Sequence, residues 1–326
     1  MAEFIDPAIV PKVTLPSGEE VPCMGMGTFG SDRVNAEDVS AAVAGAIRSG
    51  YRMFDCAACY GNEHQIGEVF EAAIKEGVVE RKDLFIMTKV WNDMHRKVEE
   101  ACTKSIQDLK CDYVDLYFIH WPFPNYHAPF CDVDSRNPDS RPFSVEEFMD
   151  TYRQCEELVE KGKIRYIGLS NFSQADVVKF EEMIEINGQQ SLYNMLERNT
   201  SSYHNIKLEY KTEDEVLPHV KKEGQAFFPY SPLFQGLLTS GLRKLSTRDI
   251  RNENPKFSQP LFAKYDAVAK QLRKLADDCG HPLNELAINW LRQKEEVTTI
   301  IAGVSSVTQL HQNLNCLSWD ITTDLF

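Results

Sequence analysis

The chain has 326 residues, 43% hydrophobic and 26% charged, which is enough apolar material for a full core and too much for a disordered chain. Its net charge of -14 argues against nucleic acid or anionic membrane as the main partner, although local backbone amides can still hold a phosphate. No run approaches the ~18 apolar residues of a membrane span, and residues 1–7 lack the basic start of a signal peptide, so a cytoplasmic protein is expected.

In chain order, strand-like and helix-like segments alternate. A helix is predicted over 36–49, with Val39, Val43, Ala46 and Ile47 on one face and Gly50 as its stop, followed by a short strand running into Asp55. Helix 64–76 places Ile66, Val69, Phe70, Ala73 and Ile74 at helical spacing. Next come an apolar strand over 84–91 that contains Lys89, a helix over 95–109 and an apolar strand over 113–119 that runs into His120. A long polar loop covers 122–142, and a loop that long inside a compact domain is expected to be functional or disordered. Helix 144–161, strand 164–169, a helix capped by Ser173 and reaching 186, and a strand near Gln190 follow. After an irregular stretch to 211 come helix 213–223, strand 226–228, a second long loop over 231–259, C-terminal helices, a last strand over 297–301 and a helix from 307.

This alternation predicts the α/β class and a (β/α)8 TIM barrel, one domain over 1–326 with long loops at its C-terminal face. The rival, a doubly wound sheet, would carry a Gly-rich fingerprint that opens a helix directly after the first strand. Gly25-Met26-Gly27-Thr28-Phe29-Gly30 is Gly-rich, but no helix opens straight after it and no acidic residue stands at the ribose distance. The nine cysteines are scattered, and Cys56 and Cys59 form the only close pair. No second pair follows at ligand spacing, so reduced thiols are expected and no metal.

The candidate chemistry lies at the strand ends. An ammonium inside an apolar strand is costly unless a partner compensates it. Asp55, Lys89 and His120 each end an apolar strand, which on a barrel brings them to one mouth, and Tyr60 follows Asp55 closely enough to share it. Asp55 would hold Lys89, the ammonium would lower the proton affinity of the Tyr60 phenol, and His120 would hydrogen-bond a carbonyl oxygen. Such a set protonates an alkoxide as it forms. By the same reasoning Lys89→Met fits the apolar run and is expected to leave the fold intact or stabilise it.

These residues stand in segments that resemble the aldo-keto reductases. The matching segments are Gly50-Tyr51-Arg52-Met53-Phe54-Asp55-Cys56-Ala57 with Tyr60-Gly61-Asn62-Glu63, then Tyr113-Val114-Asp115-Leu116-Tyr117 with Ile119-His120-Trp121-Pro122, and Arg165-Tyr166-Ile167-Gly168-Leu169-Ser170-Asn171-Phe172. The resemblance implies that NADP (NADPH, with NAD not excluded) supplies hydride to a small aldehyde or ketone. Tyr60 would then donate the proton, Lys89 and Asp55 would tune it, and His120 would orient the carbonyl. It carries nicotinamide contacts onto Ser170, Asn171 and Gln190, the stacking ring onto Tyr230, and pyrophosphate contacts onto Ser231 and Leu233. Gly27, Thr28 and Phe29 join the cofactor set, and Trp91 and Trp121 become pocket walls.

The chain also departs from the common pattern. Residues 301–313 hold no Lys or Arg where many relatives place the cations that bind the 2′-phosphate. This segment is similar instead to the branch containing potassium-channel β subunits, where Gly303, Ser305, Gln309 and Asn313 would contact the adenosine. Residues 199–211 are longer than the family usually carries, and the chain stops at Phe326 without the long final loop of many relatives. The alternatives to a reductase are a cofactor-holding regulatory subunit with slow turnover and a sugar or polyol dehydrogenase running the reverse reaction.

Overall fold

The computed structural model describes residues 6–15, 17–30, 34–123, 143–203, 206–208, 210–240 and 249–322. An antiparallel pair, β1 (Lys12–Thr14) and β2 (Glu20–Pro22), comes first. Eight parallel strands then close a barrel: β3 (Met24–Gly27), β4 (Met53–Asp55), β5 (Phe85–Val90), β6 (Val114–Ile119), β7 (Ile164–Ser170), β8 (Gly188–Leu192), β11 (Ala226–Tyr230) and β12 (Ile300–Gly303), which returns to β3. Between β8 and β11 lies a second antiparallel pair, β9 (Ser202–Tyr203) and β10 (Ile206–Lys207). The outer layer comprises α1 (Ala36–Arg48), α2 (Glu63–Lys75), α3 (Val98–Asp108), α4 (Val145–Glu160), α5 (Gln174–Val177), α6 (Leu217–Glu223), α7 (Leu261–Asp278), α8 (Leu283–Arg292) and α9 (Val307–Leu314). The predicted TIM barrel is the observed fold.

Side-chain alternation explains how the barrel places its site. Met53, Phe85, Met87, Leu116, Phe118, Ala226, Phe228 and Ile301 pack together inside it, each from the inward-facing register of its strand. Two residues further along the same registers stand Asp55, Lys89, His120 and Tyr230. The inward face of each of these strands is therefore apolar below and polar at its C-terminal end. Leu15 and Val21, around the β1–β2 turn, join the interior cluster from beneath and plug the barrel floor. The Gly-rich run is a barrel strand: a Cβ on Gly25 would stand 3.1 Å from Met53 and Ile301, and one on Gly27 3.2 Å from Ile301, so these positions stay small to let adjacent strands close.

Some predicted boundaries move. The helix expected from Ser173 to 186 stops at Val177, and Phe180 leaves helical geometry (φ −135°) to pack, tilted, on Phe148 with ring centroids 4.2 Å apart. The helix expected from 213 begins as a π-helical turn over Thr212–Val216 before α6. The last strand starts at Ile300 rather than 297, since Thr298 is taken up by the Phe227 backbone. Residues 124–142 of the first long loop and 241–248 of the second lie outside the described residues.

Candidate active site

Four of the predicted residues meet at the C-terminal mouth. Lys89 is fully buried, and its Nζ lies 2.8 Å from Asp55 Oδ1. The same ammonium donates to the Cys56 carbonyl at 2.7 Å and reaches Tyr60 Oη at 3.3 Å. The three donors of the ammonium are thus used on a carboxylate, a carbonyl and a phenol. The His120 ring lies edge-on to Tyr60, centroids 6.0 Å apart.

Tyr60 is placed by local structure. It closes a 3-10 turn, Ala58–Tyr60, that ends on Gly61 at φ +67°, a conformation glycine adopts without strain. Asn62 Nδ2 donates to the Thr28 carbonyl at 2.8 Å, and Thr28 Oγ1 donates to the Asp55 carbonyl at 2.9 Å, which ties the ends of β3 and β4 to this turn. The half-exposed Phe29 covers the Tyr60 ring at 5.1 Å.

Electrostatics correct one expectation. Tyr60 is partly exposed to solvent, yet the packing around it desolvates the phenol and pushes its pKa well above the ordinary 10.0, and the Asp55 carboxylate pushes the same way. Burial therefore outweighs the nearby ammonium, and the Tyr60 phenol stays protonated at neutral pH. The partner geometry also corrects the expectation for Lys89→Met, because removing the cation would leave Asp55 buried beside only the Gln190 amide, which donates to Oδ1 at 3.1 Å.

The other predicted contacts fall into two groups. Ser170, Asn171, Gln190, Tyr230, Trp91 and Trp121 surround the same mouth. Asn171 Nδ2 donates to the His120 carbonyl and Ser170 Oγ, both at 3.1 Å, and its Oδ1 accepts from Tyr230 Oη at 2.9 Å and Tyr210 Oη at 3.0 Å. Trp91 lies edge-on to His120 at 5.1 Å. Ser231 (φ +55°) and Leu233 follow Tyr230 on the loop, with the Ser231 carbonyl held by Asn194 Nδ2 at 2.9 Å.

Gly303, Ser305, Gln309 and Asn313 form a separate group along the end of β12 and α9, with Gly303 paired in register with Gly27. Their geometry fits a dinucleotide arm. Nothing stands within 4 Å of where a Gly303 Cβ would be, and the buried Asn313 Nδ2 has no hydrogen-bond partner. The side-chain amides of Asn171 and Gln190 at the mouth suit a carboxamide. Gln309 Oε1 is engaged locally by Ser305 N at 2.8 Å and Ser305 Oγ at 3.1 Å. Among the described residues no group of three His, Cys, Asp or Glu converges as a metal site.

Three mouth residues escaped the sequence reading. Cys59 Sγ contacts His120 Nδ1 at 3.6 Å, and burial pushes its thiol pKa far upward. Tyr203 and Tyr210 come from the stretch expected to be irregular. Their one sequence signal was aromatic content in a segment longer than usual. Tyr203 packs edge-on against Tyr230 at 5.6 Å and lies 6.4 Å from Trp121.

Comparison with known proteins places these observations. A family model for the Aldo/keto reductase family matches residues 23–326. An NAD(P)H-dependent D-xylose reductase of Candida tropicalis is 30% identical over 328 aligned positions, covering 97% of this chain and 90% of the relative. The aldo-keto reductase family 1 member A1 of Gallus gallus is 29% identical, covering 96% and 85%. Among solved structures, a Bombyx mori aldo-keto reductase in complex with NADP superposes with a TM-score of 0.71 at 25% identity, covering 97% of this chain and 90% of that one. A Schistosoma japonicum aldose reductase, at 24% identity and a TM-score of 0.72, shares the fold.

Proposed function

The chain belongs to the aldo/keto reductase family, and from that premise we propose that Tyr60 is the proton donor in reduction of an aldehyde or ketone to an alcohol by NAD(P)H. The observation that carries this reading is Lys89 Nζ standing between a buried carboxylate at 2.8 Å and a phenol oxygen at 3.3 Å. When bound, the dinucleotide supplies the hydride. The protein's own residues handle the oxygen. Tyr60 transfers its proton to the carbonyl oxygen as negative charge develops there, and Lys89 stabilises the resulting phenolate until solvent returns the proton. Asp55 keeps the ammonium in place, and His120, braced by Trp91 and Cys59, orients the carbonyl. Ser170, Asn171 and Gln190 would hold the carboxamide, Tyr230 the nicotinamide face, and Ser231 and Leu233 the pyrophosphate. Gly27, Thr28 and Phe29 would flank it, and Gly303, Ser305, Gln309 and Asn313 would line the adenosine arm.

On this reading the whole chain works as one barrel domain. The eight described cysteines, none of them in a disulfide, suit a reducing, cytoplasmic setting. The test is steady-state turnover of a panel of aldehydes with NADPH and with NADH, alongside titration of each dinucleotide by tryptophan fluorescence. Multiple turnovers with at least one aldehyde are expected. Tight dinucleotide binding with no turnover on any carbonyl would favour a regulatory subunit instead.

A further inference from the structure

The excursion between β8 and α6 is fastened more firmly than a surface loop requires. Strands of two residues, such as β9 and β10, have little stability of their own. The fastening comes from Lys256, a buried lysine on the loop after β11. Its Nζ donates to Glu197 Oε2 at 2.6 Å, to Thr200 Oγ1 at 2.8 Å and to the Ser202 carbonyl at 2.6 Å. Asn199 Oδ1 accepts from the Glu213 and Asp214 amides at 2.9 and 3.0 Å, which anchors the excursion from a second side. At its far end Tyr210 Oη reaches Asn171, and Thr212 Oγ1 donates to the Leu192 carbonyl at 2.8 Å.

All of this presents one side chain to the mouth. Tyr203 immediately follows the carbonyl that Lys256 holds. Its partly exposed ring lies 6.4 Å from that of Trp121, which follows His120, and 5.6 Å from that of Tyr230 at the end of β11. It is close enough to push the Tyr60 and Tyr230 phenols upward, and its own is pushed up to about 12 by burial. A ring held there faces whatever group the carbonyl carbon bears, since the carbonyl oxygen belongs to Tyr60 and His120.

We infer that Tyr203 is a specificity-determining wall of the substrate site that selects carbonyl compounds bearing a flat apolar substituent, and that Lys256 is its positioning residue. The inference rests on the reductase reading above and deepens it. An aryl group would pack against the exposed part of the Tyr203 ring, whereas a short aliphatic aldehyde would reach Tyr60 and His120 without touching it.

The experiment measures KM and kcat for a benzaldehyde and for propanal at saturating NADPH. The proteins compared are the wild type, Tyr203→Ala, Tyr203→Phe, Lys256→Met and the double variant Glu197→Leu/Lys256→Met, which leaves no orphaned carboxylate. For Tyr203→Ala, the benzaldehyde KM should rise about 3- to 10-fold, with kcat and the propanal KM changed by less than about twofold. Tyr203→Phe should behave as wild type. The double variant should melt near the wild-type temperature and still show the raised benzaldehyde KM, because the Ser202 carbonyl and Thr200 have lost their donor. An unchanged ratio of the two KM values in Tyr203→Ala would overturn the wall, and an unchanged ratio in the double variant would overturn the role of Lys256. If the wild type turned over no aldehyde of the wider panel, the reductase reading itself would fail, and this inference with it, whereas turnover of other aldehydes but of neither of these two would overturn the wall alone.

Discussion

The two ends of the barrel each bury a carboxylate against cations, and they use it differently. At the floor, Asp115 accepts from Arg81 Nη2 at 2.9 Å, from Arg165 Nη1 at 3.0 Å and from the Ile86 amide at 2.9 Å. Arg165 also grips Glu19 of the β1–β2 plug at 2.7 Å. The terminal nitrogens of Arg81 and Arg165 are spent on holding strands and plug together. At the mouth, Asp55 holds Lys89, and Lys89 keeps one of its donors on the phenol of Tyr60, a group that can itself release a proton. A closed network locks the fold; a network that ends on a partly exposed phenol leaves a titratable group at the mouth, as the proposed chemistry requires.

Mutations at the two ends should separate these roles. The largest effect is expected for Tyr60→Phe, which removes the acid and keeps the ring against Phe29; kcat should fall by about 10²- to 10⁴-fold while urea unfolding stays unchanged. Retention of near wild-type turnover would remove Tyr60 from the chemistry. Lys89→Met should lose turnover and stability together, the latter by about 3–5 kcal/mol, since a buried carboxylate is left uncompensated. Adding Asp55→Asn should restore the unfolding midpoint but not the rate, and recovery of both would make the pair merely structural.

At the floor, Asp115→Ala should cost about 2–3 kcal/mol, discounted because Arg165 is partly solvated, with kcat/KM within about twofold of wild type. A selective loss of turnover there would break the division between the two ends. The smallest effect is a pH dependence. Raised phenol pKa values at Tyr60 and Tyr230 mean that the folded state holds protons the unfolded chain releases near ~10. Their contribution to stability is complete below that pH and is lost as pH rises through the folded values. Reduction should therefore persist through the ordinary tyrosine range and fall only above it, whereas a decline centred near pH 9 would show that the ammonium outweighs burial after all.

Much of this was legible in the sequence because barrel strands obey a period of two. Phe85, Met87 and Lys89, like Leu116, Phe118 and His120, lie on one inward register, so a polar residue ending an apolar run already marked the mouth. The predicted helices α1, α2 and α4 emerged within a few residues, their apolar stripes setting their buried faces. The helix after Ser173 was not legible, because its end depends on Phe180 finding Phe148 across the packed layer.

Local pattern and resemblance together selected the eight-stranded barrel and named Asp55, Tyr60, Lys89 and His120. Only the tertiary structure decided their surroundings: that desolvation keeps the Tyr60 phenol protonated, and that Cys59 lies against His120. It also decided that the 199–211 stretch, bound by Lys256, sets Tyr203 over the mouth. These depend on burial and on contacts between residues far apart in the chain, quantities that no local periodicity encodes.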